Sequence, residues 1–228
     1  MEQSRRIAVA IDGPSGAGKS SIARAAAREL GFVYVDTGAI YRTAACGMNR
    51  RGIAPEDAAA VEAALPETAV SIQYGADGLQ RMYLNGEDVT DAIRLPEVSM
   101  LASRLSALPA VRAFLLDMQR DMAARHSVIM DGRDIGTVVL PGADVKIFLT
   151  ASPEDRAMRR FRELEARGTP KDYGELLEEI RRRDDNDSRR AAAPLRPAAD
   201  AVVLDTTGNT FEQSCRQILE IIRERIAL

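Results

Sequence analysis

A glycine-rich stretch that ends in lysine and serine carries the clearest chemistry in this sequence. Residues 12–20 read D-G-P-S-G-A-G-K-S and fit the pattern G-x-x-x-x-G-K-[ST]. Glycines let the backbone turn tightly and direct several N–H groups at one anion, and a following helix adds its positive dipole end. Lys19 would then reach the β- and γ-phosphates of a nucleoside triphosphate, and the Ser20 hydroxyl would hold Mg²⁺. The residues predicted to bind the triphosphate here are Gly13, Pro14, Ser15, Gly16, Ala17, Gly18, Lys19, Ser20 and Ser21.

Arginines and aspartates form a second group of candidate site residues. Arg42 follows the second predicted strand, and Arg133 and Asp134 follow the third. Further arginines are Arg156, Arg159, Arg160 and Arg167, then those of the run R-R-R-D-D-N-D-S-R-R at 181–190. Arginine presents a planar fork of donors that grips phosphate at two points, and on mobile loops such forks suit phosphoryl transfer. The alternative for 181–190 is a solvated helix face with i,i+4 ion pairs such as Glu179 with Arg183.

The sequence offers no obvious general base. His126 is the only histidine, so no Ser-His-Asp or Cys-His pair can form, and we expect this histidine to be exposed. Transfer to an alcohol usually needs a base, whereas a phosphate monoester with a second pKa of about 6 is already ionised at neutral pH. A phosphate acceptor is therefore favoured, although Asp36 or Asp134 remains an alternative base. Asp131 either orients Mg²⁺-bound water or caps the turn that follows it.

Five short apolar runs must position these residues. They lie at 7–11, 32–35, 128–130, 145–149 and 201–205, and helical patterns alternate with them. Such alternation predicts a parallel sheet with helices on both faces, and ligands of open α/β sheets bind at the carboxyl ends of the strands. The predicted helices span 21–30, a segment containing Tyr41 and Arg42, 55–65, 96–106, 109–125, 153–166, 173–190 and 211–226.

One segment has a different pattern from the rest. Val70, Ile72 and Tyr74 alternate with polar residues, and turn signals follow at 75–78 and at Asn85-Gly86. These features predict a small antiparallel ribbon inserted at about 68–90. The ribbon is either a decoration of the fold or a clamp over an acceptor substrate.

Composition, net charge and cysteine content limit the classes of protein to which this chain can belong. The chain has 228 residues, 46% of them hydrophobic but only 4% aromatic, so aliphatic side chains must build the core. A formal net charge of -3 gives no global basic field for nucleic acid. The two cysteines, Cys46 and Cys215, are far apart and are expected as thiols in a reducing compartment. No signal peptide or spanning apolar run is apparent, so we expect a cytoplasmic protein without membrane partners. We also expect a monomer without nucleic-acid partners.

Four runs of residues together resemble the bacterial cytidylate kinases. They are I-D-G-P-S-G-A-G-K-S at 11–20, D-T-G-A-I-Y-R at 36–42, D-G-R-D-I-G-T-V-V at 131–139 and R-D-D-N-D-S-R-R at 183–190. The first run alone would indicate only a superfamily, whereas the second and third are much more specific. Thr37 stands where serine is common, and Ser20-Ser21 replaces a small residue followed by threonine; both changes keep the hydroxyl.

The resemblance implies transfer of the ATP γ-phosphoryl group to CMP or dCMP, with Mg²⁺, giving CDP or dCDP and ADP. It implies a P-loop NTPase-like α/β fold in one domain over 1–228. The core would comprise 1–36, 126–152 and 171–228, the nucleoside monophosphate-binding region 37–125, and the closing LID region 153–170. Predicted CMP-binding residues are Thr37, Tyr41, Arg42, Ser103, Arg112, Arg133, Asp134, Arg183, Asp187 and Arg190. Predicted catalytic residues are Lys19, Arg42, Arg133 and Arg183, with Arg156, Arg159 and Arg160 on ATP from the LID region.

Other functions remain open at this point. A related P-loop kinase would act on AMP, dTMP or shikimate instead. A nucleotide-gated binding module would bind ATP without transferring phosphate. A GTPase switch is disfavoured because the sequence contains no N-K-x-D motif for reading guanine.

Overall fold

The structure is a computed structural model that describes residues 5–226. The chain divides into two compact units, and the first boundary falls inside the second strand. We call them the sheet unit, which contains residues up to Tyr34 and from Ala123 onward, and the ribbon unit, Val35–Met122. The earlier assignment of 37–125 to acceptor binding and of 153–170 to a LID region stays a prediction.

The secondary structure follows the alternation expected from the sequence. The strands are β1 (Ala8–Asp12), β2 (Val33–Asp36), β3 (Val70–Tyr74), β4 (Gln80–Leu84), β5 (Glu87–Asp88), β6 (Val128–Gly132), β7 (Val145–Thr150) and β8 (Val202–Asp205). The α-helices are α1 (Lys19–Leu30), α2 (Thr37–Arg50), α3 (Ala58–Ala64), α4 (Pro96–Leu105), α5 (Pro109–Arg125), α6 (Pro153–Ala166), α7 (Tyr173–Arg189) and α8 (Phe211–Ile226).

A five-stranded sheet has the order β2-β6-β1-β7-β8. Strand β1 pairs in parallel with β6 and β7, and β8 pairs in parallel with β7. The two central strands β1 and β6 are almost wholly buried, as their unbroken aliphatic runs predict. Helices α1 and α8 pack on each other, α1 on β6 and α8 on β7. The predicted parallel α/β sheet with flanking helices is confirmed.

The ribbon unit contains an antiparallel sheet of order β3-β4-β5. Val70 pairs with Leu84 and Tyr74 with Gln80, so the predicted ribbon is confirmed. Its third strand, β5, has only two residues and was not predicted. The ribbon packs on α2, where the buried side chain of Leu84 lies against Gly47.

One local prediction is corrected by the structure. Helix α3 begins at Ala58, later than expected, because Asp57 caps it by accepting the N–H of Ala60 at 3.0 Å. A short 3₁₀ helix, Leu65–Glu67, continues the chain after α3. After β6, Ile135–Val139 forms one turn of π-helix, a feature for which the sequence pattern made no prediction.

Candidate phosphate-binding site

The loop between β1 and α1 requires glycine for two separate reasons. Gly13 has φ +148°, and a Cβ there would lie 1.9 Å from the carbonyl oxygen of Leu149 on β7. Gly18 caps the N-terminus of α1 in the left-handed conformation, with φ 85°. The first glycine therefore allows close approach of two backbones, and the second allows the sharp entry into the helix.

Lys19 is the central cation of this loop. Its side chain is only 5% exposed, and its Nζ donates to the carbonyl oxygen of Pro14 at 2.7 Å. Burial lowers the pKa of Lys19 well below its ordinary value, and the positive charges of Arg133 and Arg183 lower it further. The nearby carboxylates of Asp131 and Asp12 oppose this shift. Two guanidinium groups near a buried ammonium concentrate positive charge and form a site suited to a polyanion.

The end of β6 supplies the carboxylate of the site. Asp131 lies in the strand, and its Oδ2 accepts the Ser20 hydroxyl at 2.8 Å. Its Oδ1 accepts the hydroxyl of Tyr34 at 2.8 Å. A serine hydroxyl beside a strand-end carboxylate matches the sparse protein ligation of Mg²⁺, which takes its other ligands from phosphate and water. These residues therefore fit the magnesium ion expected with ATP. Among residues 5–226, no group of three or more His, Cys, Asp and Glu side chains could hold a metal ion.

Asp12, the last residue of β1, holds the segment that follows β6. Its two carboxylate oxygens accept the N–H groups of Ile135 and Gly136, each at 2.7 Å. Burial raises the pKa of Asp12 to about 6, although these two hydrogen bonds act in the opposite direction. The sequence analysis gave Asp12 no role, because its partners are 123 and 124 residues away. The only sequence feature that could have indicated a role for Asp12 is its position directly before the first glycine of the loop.

Asp187 of α7 and Arg190, which caps the C-terminus of α7, contact the residues that follow β6. Arg133 Nε donates to Asp187 Oδ2 at 2.8 Å. Arg190 pairs with Asp134 at 3.4 Å, and both side chains are almost fully buried. Four of the predicted site residues are thus brought together within the sheet unit.

Three other predicted site residues lie on α6, the helix that the sequence predicted at 153–166. Arg156 is 3% exposed and donates from Nη1 to the Ser15 carbonyl oxygen at 2.9 Å. Its guanidinium also makes a two-point contact with Asp184 on α7, at 3.0 and 2.5 Å. Arg159 donates to the Ala17 carbonyl oxygen at 3.4 Å. Arg160, by contrast, pairs with Glu163 on the exposed helix face at 2.8 Å, so the structure does not bring it to the loop.

The remaining predicted residues belong to the ribbon unit. Asp36 caps α2 by accepting the Ala39 N–H at 2.8 Å and pairs with Arg42 at 3.0 Å. The Arg112 guanidinium carbon lies 5.8 Å from the centre of the Tyr41 ring. Thr37, at the start of α2, is buried, and Ser103 lies on α4, which packs on α2.

The ribbon is also tied to this part of its own unit. Gln80 on β4 accepts the Asp36 N–H at 2.8 Å and donates to the Asp36 carbonyl oxygen at 3.3 Å. One side chain of the ribbon therefore satisfies both backbone groups of the residue that caps α2. The sequence analysis did not identify Gln80, since nothing in the pattern links it to a residue 44 positions earlier.

The fold and the loop together place the molecule among the P-loop proteins that bind nucleoside triphosphates. A sequence model of the family described as cytidylate kinase matches residues 9–224. The chain belongs to the cytidylate kinase family.

Curated relatives agree with this assignment. A cytidylate kinase from Caldicellulosiruptor bescii is 48% identical over 217 residues, which cover 95% of this chain and 96% of that protein. A cytidylate kinase from Mycobacterium leprae is 50% identical over 220 residues, 96% of each chain. A solved structure of an uncharacterized protein from Eubacterium ventriosum superposes with a TM-score of 0.53 at 11% identity, covering 96% of this chain and 99% of that one, and supports the fold alone.

Within residues 5–226, no single helix combines the length and apolar character needed to cross a membrane. One pair of helices, Glu97–Leu105 with Pro109–Arg125, meets the length and composition criteria together but is bent by 99°.

Proposed function

We propose that this protein transfers the γ-phosphoryl group of ATP to CMP or dCMP, giving ADP and CDP or dCDP. The observation that carries the proposal is the buried ammonium of Lys19 in the loop, under the electrostatic influence of Arg133 and Arg183. In phosphoryl transfer, charge is spread over the equatorial oxygens, and positioned cations stabilise it. Membership of the cytidylate kinase family supports CMP as the acceptor.

Each catalytic cation has a distinct role in this proposal. Lys19 binds the β- and γ-phosphates of ATP, and Arg133 and Arg42 bind the phosphate of CMP. Arg183 stabilises the charge on the group in transfer. Ser20, and Asp131 through water, would hold Mg²⁺, which would neutralise phosphate charge. Arg156, Arg159 and Arg160 belong to a LID region that closes over ATP.

The nucleoside of CMP is assigned to a separate set of side chains. Arg183 and Asp187 approach the pentose. Thr37 and Tyr41 lie beside the acceptor. The residues assigned to the cytosine ring are Ser103, Arg112, Asp134 and Arg190. The resemblance to the family supports these roles, and so do the pairs that Asp187 and Asp134 form with Arg133 and Arg190.

The transfer needs no general base. The acceptor oxygen of CMP is ionised at neutral pH, because the second pKa of a phosphate monoester is about 6. His126, the only histidine of the sequence, is exposed. Of the two alternative bases, Asp36 caps α2 and pairs with Arg42, and Asp134 pairs with Arg190. Both carboxylates therefore already have structural partners.

We further propose that the protein acts as a cytoplasmic monomer without nucleic-acid or membrane partners. A net charge of -3 offers no general attraction for a polyanion surface. Light scattering on the purified chain would give its molar mass, and a dimer mass would contradict the monomer.

The decisive experiment measures ADP release from Mg-ATP with CMP, dCMP, UMP, AMP and dTMP as separate acceptors. We expect efficient turnover with CMP and dCMP. Turnover of AMP without turnover of CMP would contradict CMP as the acceptor and identify AMP in its place. ADP release at the same rate with and without each acceptor would indicate an ATPase. No ADP release at all would indicate a nucleotide-gated binding module.

Arg133 offers a direct test of the acceptor site. Arg133→Ala should reduce kcat/KM for CMP by at least about a hundredfold, because it removes a charge that acts in the transition state. Arg223→Ala is the matched control, since Arg223 forms an exposed ion pair with Glu29 on α1, at 2.6 Å. Near-normal turnover of CMP by Arg133→Ala would exclude its assigned role.

A further inference from the structure

Tyr34 is a buried tyrosine in β2 whose hydroxyl faces a carboxylate. Tyr34 is only 8% exposed, and its hydroxyl donates to Asp131 Oδ1 at 2.8 Å. Tyr34 lies between two valines of β2, where valine or phenylalanine would fill the same space without a polar group. The hydroxyl is therefore the feature of Tyr34 that needs an explanation.

Asp131 is held on its other side as well. Its Oδ2 accepts the hydroxyl of Ser20 at 2.8 Å, so Tyr34 and Ser20 engage the two oxygens of one carboxylate. A carboxylate bound through both oxygens cannot rotate without breaking one of the bonds. Its orientation toward Ser20 is thereby fixed before any ligand arrives.

The ring of Tyr34 is itself held in place. The guanidinium carbon of Arg24 lies 5.4 Å from the ring centre, within the range of a cation–π contact. Arg24 is four residues after Ser20 on α1, and residues spaced by four share one face of a helix. Helix α1 thus contacts the Tyr34–Asp131 pair at two points, through Ser20 and through Arg24.

We propose that Tyr34 is a positioning residue for magnesium, which orients Asp131 toward an ion that binds at Ser20 or toward the water molecules of that ion. The proposal rests on the proposed use of Mg-ATP. Groups that orient the ligands of a metal typically change metal affinity by about 10- to 100-fold when they are removed. Tyr34 does not contact ATP in this proposal and acts only through Asp131.

Tyr34→Phe removes the hydroxyl and keeps the ring under Arg24. Calorimetry should measure the Kd of ATP for the whole protein twice, once with excess Mg²⁺ and once with EDTA. We expect the gain in affinity that Mg²⁺ provides to fall by about tenfold, while the Kd of metal-free ATP stays unchanged. In the kinase assay, the Mg²⁺ concentration that gives half-maximal rate should rise by a similar factor, and excess Mg²⁺ should restore most of kcat.

Tyr173→Phe is the matched control. Tyr173 also lies in the sheet unit, and its exposed hydroxyl donates to the Glu154 carbonyl oxygen at 3.4 Å. It should leave both Kd values as they are in the unmodified protein. A purely structural Tyr34 would lower the melting temperature of the variant and weaken ATP binding equally with and without Mg²⁺, which would overturn the proposal.

A second variant decides the question if Tyr34→Phe does not fold. Arg24→Gln changes an exposed residue and releases one side of the ring. We expect a smaller loss of the Mg²⁺-dependent gain in ATP affinity, and an unchanged gain would overturn the proposal. Because this readout does not involve CMP, a failure of CMP as the acceptor would leave it measurable and would be seen separately.

Discussion

Asp12 is a buried carboxylate whose hydrogen bonds go to the backbone of a distant segment. It is almost fully buried, and it accepts two backbone N–H bonds from the segment that carries Arg133 and Asp134. Burial raises its pKa from 3.8 to about 6, so the folded chain binds this proton more tightly than the unfolded chain does. Its contribution to stability is therefore greatest below pH 3.8 and is lost as the pH rises through about 6.

Replacing Asp12 by asparagine removes this titration. The free energy of unfolding of Asp12→Asn, relative to the unmodified protein, should increase by about 2 kcal/mol between about pH 4 and pH 7. Urea denaturation of both proteins at both pH values measures the difference. The exposed aspartate Asp117 provides the control variant, Asp117→Asn. A difference in stability that does not change with pH would contradict the raised pKa of Asp12.

Helices α6 and α7 are joined through one buried guanidinium. Arg156 binds Asp184 at two points and also donates to the carbonyl oxygens of Ser15 and Ala151. A helix-to-helix ion pair is thereby linked directly to the backbone of the phosphate-binding loop. The positions of these two helices therefore bear on the shape of the loop.

The variant Asp184→Asn tests how much the ion pair between Arg156 and Asp184 contributes to stability and to ATP binding. The buried charge of Arg156 would lose its counter-charge, and we expect a destabilisation of about 1–3 kcal/mol together with a higher KM for ATP. Asp185→Asn is the matched control, because Asp185 forms an exposed pair with Arg189 and such pairs contribute less than about 1 kcal/mol. Thermal denaturation and ATP titration measure the two effects. Equal stability of the two variants would show that the pair with Arg156 is dispensable.

At the scale of the molecule, the proposed substrate residues are divided between two compact units. Thr37, Tyr41, Arg42, Ser103 and Arg112 belong to the ribbon unit, and the loop and the residues after β6 belong to the sheet unit. A ligand that binds the folded state stabilises it by an amount set by its concentration relative to Kd, about 2.7 kcal/mol at a hundredfold excess.

CMP alone should therefore raise the melting temperature. For a chain of this size, a hundredfold excess over Kd corresponds to roughly 5–10 °C. Differential scanning fluorimetry with CMP, UMP, AMP and ADP, each at the same concentration, ranks the acceptors and compares them with ADP without any turnover. A larger shift with AMP than with CMP would contradict cytosine recognition, whereas a shift with ADP alone would leave only the nucleotide-binding loop supported.

Local patterns in the sequence determined a large part of this protein. The phosphate-binding loop follows from a spacing of glycines, lysine and serine over eight residues, and the strands follow from unbroken aliphatic runs. The ribbon follows from alternation and two turn signals. The two-residue strand β5 and the π-helical turn at Ile135–Val139 lay beyond such patterns, because both are too short or too irregular to produce a periodic signal.

Only the tertiary structure decided which side chains support the site. The strand order places β6 between β2 and β1, so Asp131 meets Tyr34 on one side and Ser20 on the other, across 97 and 111 residues of sequence. The same order allows Asp12 to hold Ile135 and Gly136. A sequence pattern records periodicity within an element, whereas these contacts depend on the order in which distant strands pair. Tyr34 and Asp12 therefore looked like ordinary strand residues until the sheet was assembled.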